Sequence, residues 1–253
     1  MCELFALCAN KKVNATPLLK EFYSHASEQP HGWGMATIEN GVVSIEKEPV
    51  RADESIYLKE KLKEDIIEQT IISHIRRASI GNMIYDNCHP FVCKDKYGRT
   101  WTLAHNGTLF YPYDTEQYAF KQTGSTDSER ILLYLIDCIN RQSHHDLSDS
   151  KRIQIVEQVI HDITLENKVN IVIFDGDILY VHTNMKDSLH YLKRDDSIFF
   201  STHPLQGEWN DMPFMKLCAY KNGTMIYEGK NHFHEYIETK EHLLFYLQAE
   251  ANL

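Results

Sequence analysis

The sequence predicts an α+β fold, on three observations. Short apolar runs of strand composition are spread along the whole chain and outnumber the helical segments. Asn-Gly pairs at 40–41 and 222–223 give the two-residue turn signal of a β-hairpin. Two or three longer amphipathic stretches, around 53–68, 130–139 and 150–163, interrupt the strands. With no internal repeat, low-complexity tract or linker, residues 1–253 are expected to form a single domain.

In chain order, residues 1–9 form a near-continuous apolar run that reads as a buried strand. Cys2 follows the initiator methionine, and a small second side chain favours removal of that methionine. As a mature N-terminus, Cys2 would hold a thiol beside its own α-amine, which titrates near about 8 and can take a proton from an attacking thiol. Cys2 reads equally as a small apolar residue opening a strand. Residues 16–26 look helical, with Thr16 as cap, Pro17 in the first turn and Leu18, Leu19 and Phe22 on one face. In the run His31-Gly32-Trp33-Gly34, the flanking glycines allow close backbone approach or mark a turn into the strand 34–38. A second strand, around 42–46, follows the turn.

Residues 53–68 read as a charged amphipathic helix with a solvated Glu/Lys face. The strand 70–75 delivers Arg76, where a guanidinium could grip a carboxylate in two-pronged fashion. Residues 87–91 read as a loop and 101–105 as a strand. That strand ends in His105-Asn106-Gly107, where an Asn amide beside a Gly N–H offers two neutral donors for an oxyanion; the same pair also reads as a turn. Ser125 or Thr126 opens the helix 130–139, with Asp127 either completing the helix start or facing an ammonium group. His144-His145-Asp146 lies in a polar loop, and adjacent histidines point different ways, which argues against a metal. A helix at 150–163, a hairpin at 169–182, strands at 197–201, 216–219 and 224–228, and a short helix at 241–249 complete the chain.

Composition narrows the class further. Hydrophobic residues make up 43% and charged residues 25%, the profile of an ordinary water-soluble protein. A formal net charge of -10 argues against nucleic acid as a partner. The six cysteines form no C-x-x-C pair or zinc spacing, which points to reduced thiols and a cytoplasmic location. No signal peptide or membrane-length apolar run is evident, so no membrane association is expected.

Taken together and in order, the islands around Cys2, His74-Ile75-Arg76, His105-Asn106-Gly107 and Ser125-Thr126-Asp127-Ser128-Glu129 resemble the glutaminase domain of class II glutamine amidotransferases, which are N-terminal-nucleophile hydrolases. Gly32-Trp33-Gly34 and Asn87-Cys88-His89-Pro90-Phe91 bring the chain nearest the small stand-alone members. The resemblance implies a four-layer αββα sandwich and hydrolysis of a γ-glutamyl amide through a Cys2 thioester. Asn106 and Gly107 would hold the oxyanion, Arg76 the substrate carboxylate and Asp127 its ammonium. His105, Trp33 and Gly34 would line the substrate site; Arg77 stands where large synthases of the class usually carry Trp, so Trp33 is expected to supply the aromatic wall. No cofactor or metal is implied. Glutamine or another γ-glutamyl small molecule is the expected substrate, with a separate ammonia-accepting synthase subunit and a homo-oligomer both left open. The alternative is a silent member that binds a γ-glutamyl metabolite or a partner protein.

Overall fold

In a computed structural model the structure describes residues 2–39, 41–112, 114–142 and 147–251. The chain begins β1 (Glu3–Asn14), α1 (Thr16–Ser24), β2 (Trp33–Glu39), β3 (Val42–Glu48), α2 (Ile56–Lys61), β4 (Ile67–Ile75). It continues β5 (Phe91–Lys94), β6 (Thr100–Thr108), α3 (Asp127–Asn140), α4 (Asp149–Thr164), β7 (Lys168–Phe174), β8 (Leu179–Thr183). The last elements are β9 (His190–Arg194), β10 (Ser197–Ser201), β11 (Asn210–Asp211), β12 (Lys216–Lys221), β13 (Thr224–Glu228) and α5 (Lys240–Ala251).

The strands form two antiparallel sheets, ordered β11-β9-β10-β1-β4-β2-β3 and β13-β12-β8-β7-β6-β5. Alternation along β1 explains its unbroken apolar run. Leu4, Ala6 and Cys8 face the second sheet, where they meet Ala104, Val172, Val181 and Cys218. Phe5, Leu7 and Ala9 face the other way, onto Leu18, Leu19 and Phe22 of α1. A strand buried on both faces has no polar face to show. The second sheet is covered on its outer side by Ile131 and Leu135 of α3 and Val156 and Ile160 of α4. The layer order is helices, sheet, sheet, helices, the αββα sandwich expected from the resemblance.

Several local readings hold in detail. Pro17 sits in the first turn of α1 as expected, but the cap position is Ala15, and Thr16 is already the first helical residue. The cap of α3 is Thr126, whose hydroxyl accepts from the Glu129 N–H at 3.2 Å. The segment 53–68 differs: the helix covers only Ile56–Lys61, and Ile67 already belongs to β4, paired with Asn14. Pairing to the central strand wins over a helical pattern in a run rich in β-branched residues. Phe91, expected as the end of the 87–91 loop, instead opens the edge strand β5. The 144–146 histidine loop lies outside the described residues. No helix among the described residues is long and apolar enough to cross a membrane.

Candidate active site

The start of β1, the end of β4, the end of β6 and the start of β7 converge at one end of the sandwich. Cys2 precedes β1, whose first residue Glu3 pairs with Ile75, so Cys2 faces the chain leaving β4. Its thiol donates to the Arg77 carbonyl at 3.1 Å, and the Arg77 N–H donates to the sulfur at 3.2 Å. Across the gap, Asn106 and Gly107 close β6. Cys2, Asn106 and Gly107 share a cavity of about 430 Å³ with Arg77, Ala78, Ser79 and Thr108. Burial pushes the Cys2 thiol upward, while the Arg77 N–H and the nearby charges of Arg76 and Lys168 pull it down.

The glycine-tryptophan motif builds the clasp on Cys2 without touching the cavity. Arg76 donates its N–H to the Gly32 carbonyl at 2.7 Å and accepts at its carbonyl from the His31 N–H at 2.9 Å. The Ala78 N–H donates to His31 Nδ1 at 2.8 Å. At Gly34 any Cβ would collide with the His89 carbonyl oxygen, so glycine is required by close backbone approach. Trp33 is not the aromatic wall expected of it. It is fully buried in the core beneath α1, with its indole N–H donating to Glu48 at 3.0 Å and its ring stacked 6.3 Å from Tyr57.

Neither Arg76 nor Asp127 lines the cavity. The Arg76 guanidinium donates to the carbonyls of Ile80, Gly81 and Asn82 at 2.9 to 3.0 Å. The Asp127 carboxylate accepts the Leu109 N–H at 2.8 Å and the Ser128 N–H at 2.9 Å. Asn87 ties the two neighbourhoods together, donating to the Asn82 carbonyl and the Ser125 hydroxyl and accepting the Ser125 N–H. His105 is a support rather than a surface residue: its ring meets Ser128 Oγ at 3.0 Å and the Lys168 carbonyl at 3.2 Å. His74 Nε2 reaches the His105 carbonyl at 3.2 Å, bridging the sheets. Burial, then the Arg76 charge, lowers its pKa to about 3, so it is neutral and acts as a donor. His89 packs 4.1 Å from His74 and 4.6 Å from Phe91 and does not reach the cavity. His203 lies 3.8 Å from Glu3 and is likewise outside it.

Sequence reading missed two features. Lys168 opens a strand whose other residues, Asn170 apart, are apolar, and it is fully buried. Its register partner is Thr108, and Asn106 pairs with Asn170, so Lys168 points to the same face of the sheet as Asn106 and Thr108. Burial brings its ammonium down to about 8, against the opposing pull of Cys2 and Glu238. A lysine at the head of a buried strand is a readable irregularity, but only the register aims it at Cys2. The second feature is α5, which supplies Leu243, Tyr246 and Leu247 to the cavity, with Glu238 just before it. Among the described residues, no group of three or more His, Cys, Asp or Glu side chains is placed to hold a metal.

The family model for glutamine amidotransferases class II matches residues 1–197. An uncharacterized protein of Methanocaldococcus jannaschii is 31% identical over 91% of this chain and 72% of its own length. A crystal structure from Pseudomonas aeruginosa, titled a predicted glutamine amidotransferase, superposes with a TM-score of 0.66 at 20% identity, covering 89% of this chain and 100% of that one. Glutamine phosphoribosylpyrophosphate amidotransferase from B. subtilis gives a TM-score of 0.62 at 16% identity over 88% of this chain and 48% of that one. At these identities the two structures speak for the fold, and the sequence match carries the family. The family match over most of the chain, together with the shared fold, makes the chain a member of the class II glutamine amidotransferases, with the N-terminal-nucleophile hydrolase fold.

Proposed function

We propose that the protein hydrolyses the γ-amide of glutamine or another γ-glutamyl compound through a thioester on Cys2. The observation that carries this reading is the single cavity shared by the Cys2 sulfur, Asn106 and Gly107. Once Met1 is removed, the Cys2 α-amine accepts the thiol proton as sulfur bonds to the amide carbon. The carbonyl oxygen becomes an oxyanion held by the Asn106 amide and the Gly107 N–H. The carbon–nitrogen bond then breaks, and the relayed proton leaves with ammonia or an amine. Water cleaves the thioester, restoring the thiol and releasing glutamate.

Arg76 and Asp127 are assigned to the amino-acid head group, with opposite charges for its carboxylate and ammonium. Both now bond backbone groups, so the substrate carboxylate and ammonium must displace some of those partners on entry. The 253 residues are read as one glutaminase unit working in the cytoplasm, either alone or feeding ammonia to a separate synthase subunit.

Intact mass before and after a diazoketone analogue of glutamine tests this reading. Loss of one methionine and gain of one adduct mapped to Cys2 is the expected result. A processed protein that forms no adduct and hydrolyses no γ-glutamyl amide would favour the silent binding reading instead.

A further inference from the structure

The cavity wall opposite the family motifs comes from a segment that the family match, ending at residue 197, does not include. After β13 the chain runs as an arm back to the active-site end. The His232 N–H donates to the Met215 carbonyl at 3.1 Å and the Tyr236 N–H to the Asn184 carbonyl at 2.8 Å. Asn184 in turn donates its side-chain amide to the His234 carbonyl at 3.0 Å. The arm ends in α5, seated on Phe110 through His242, Phe245 and Tyr246, with ring centroids 4.0, 5.3 and 5.7 Å away. A hydroxyl contact of 3.4 Å between Tyr246 and Thr108 fixes α5 against the end of β6.

This seating brings Leu243, Tyr246 and Leu247 into the cavity that holds the nucleophile. Leu243 is 48% exposed and Leu247 63%, and both contribute apolar carbon to the wall of the cavity that Cys2 lines. The amide nitrogen of glutamine carries only hydrogens and would leave that surface wet. Arg76 and Asp127, proposed above for the head group, are not part of this wall. Glu238, in the same wall, lies within electrostatic reach of the buried Lys168.

We propose that the site is built for γ-glutamyl amides whose amine carries an apolar alkyl or aryl substituent, seated on Leu243, Tyr246 and Leu247, in preference to glutamine. The bond broken is the same γ-carbonyl carbon–nitrogen bond. Water enters, and the products are glutamate and the free substituted amine, which takes the proton relayed from Cys2. Burying carbon on the wall strengthens binding of the leaving group by the ordinary hydrophobic term.

The inference rests on the amidase reading above, and the test separates the two. Protein with a verified Cys2 N-terminus is assayed on L-glutamine and on L-γ-glutamyl-n-butylamide. The expected kcat/KM favours the butylamide by about tenfold or more, the order of discrimination a few methylenes can supply. In Leu247→Asp the ratio of butylamide to glutamine should fall at least about fivefold. Leu247→Ala, which introduces no charge, should lower it in the same direction. Equal or better use of glutamine by the wild type, or an unaltered ratio in a folded Leu247 variant, would overturn the inference while leaving the amidase reading standing. Hydrolysis of neither compound, with no labelling of Cys2, would overturn both.

Discussion

At the scale of single residues, the proposed chemistry turns on how the Cys2 thiol is made reactive in a partly buried place. Burial disfavours the thiolate, and the Arg77 N–H, Arg76 and Lys168 work against that penalty. The charges facing this point come from several elements: Arg76 after β4, Lys168 on β7, Glu238 before α5, and Asp127 acting on Arg76 and His105. A buried ammonium also lowers the pKa of a neighbouring amine, so Lys168 favours the free-base α-amine together with the thiolate. Lys168→Met should therefore move the acid limb of turnover, and of Cys2 alkylation by iodoacetamide, upward by about one pH unit. A lysine needed only for folding would lower the melting temperature and leave the limb in place. Asn106→Ala should reduce kcat by about 10² to 10³ with the fold intact, as loss of one oxyanion donor does, measured by steady-state glutamine hydrolysis with circular dichroism as control. Cys2, Asn106 and Gly107 were legible because each has a chemical type suited to its role and stands beside a recognisable strand. Lys168 was not, because its neighbour Cys2 is 166 positions away and is reached only through the register of β6 with β7. Trp33 was misread for the opposite reason: its glycines serve the backbone around Arg76 and His89, while the ring serves the core.

At the scale of elements, the arm shows how a segment outside the shared family match becomes part of the site. Its anchor is a pair of neutral histidines whose tautomers follow from their partners. His182 Nδ1 donates to the Val169 carbonyl at 3.0 Å, which leaves its Nε2 as acceptor. His232 accepts the His234 N–H at its Nδ1, so its Nε2 donates to His182 Nε2 at 2.9 Å. His232→Ala removes this pin and leaves a buried acceptor unpaired, at a cost of about 1–2 kcal/mol to the arm. Amide exchange at Tyr236, whose N–H bonds the Asn184 carbonyl, should then quicken by about tenfold, while exchange in the central strand β1 stays slow. Helices carrying a clear 3.6-residue period, such as α3 and α4, were legible from sequence, and β7 was legible from the Asp175-Gly176-Asp177 turn that follows it. The end of the 53–68 segment was not, since the same apolar residues satisfy a helix face and an edge of β4, and only pairing with β1 decides between them. The short edge strand β5, four residues long, lacks the apolar alternation that marks a strand.

At the scale of the whole molecule, the sandwich interior holds histidines that must stay neutral for the sheets to close. His74 crosses from the first sheet to the His105 carbonyl in the second, and His182 lies within the second sheet; both are fully buried. Burial, and for His74 the nearby Arg76 charge, lowers each to about 3 from an ordinary 6.5. The unfolded chain therefore takes up protons first as the pH falls. The stability tied to each neutral ring is fully present above about pH 6.5 and drains away as the pH drops toward about 3. One such ring accounts for about 2 kcal/mol between pH 6.5 and pH 5, at 1.36 kcal/mol per pH unit. Urea unfolding at pH 7 and pH 5 should show a loss of at least that order. In His74→Gln the side-chain amide can still donate across the sheets but cannot take a proton, so the loss between the two pH values should shrink by about 2 kcal/mol even if stability at pH 7 is lower. The same loss in His74→Gln as in the wild type would mean that carboxylates, and not this inter-sheet histidine, govern the acid sensitivity of the fold.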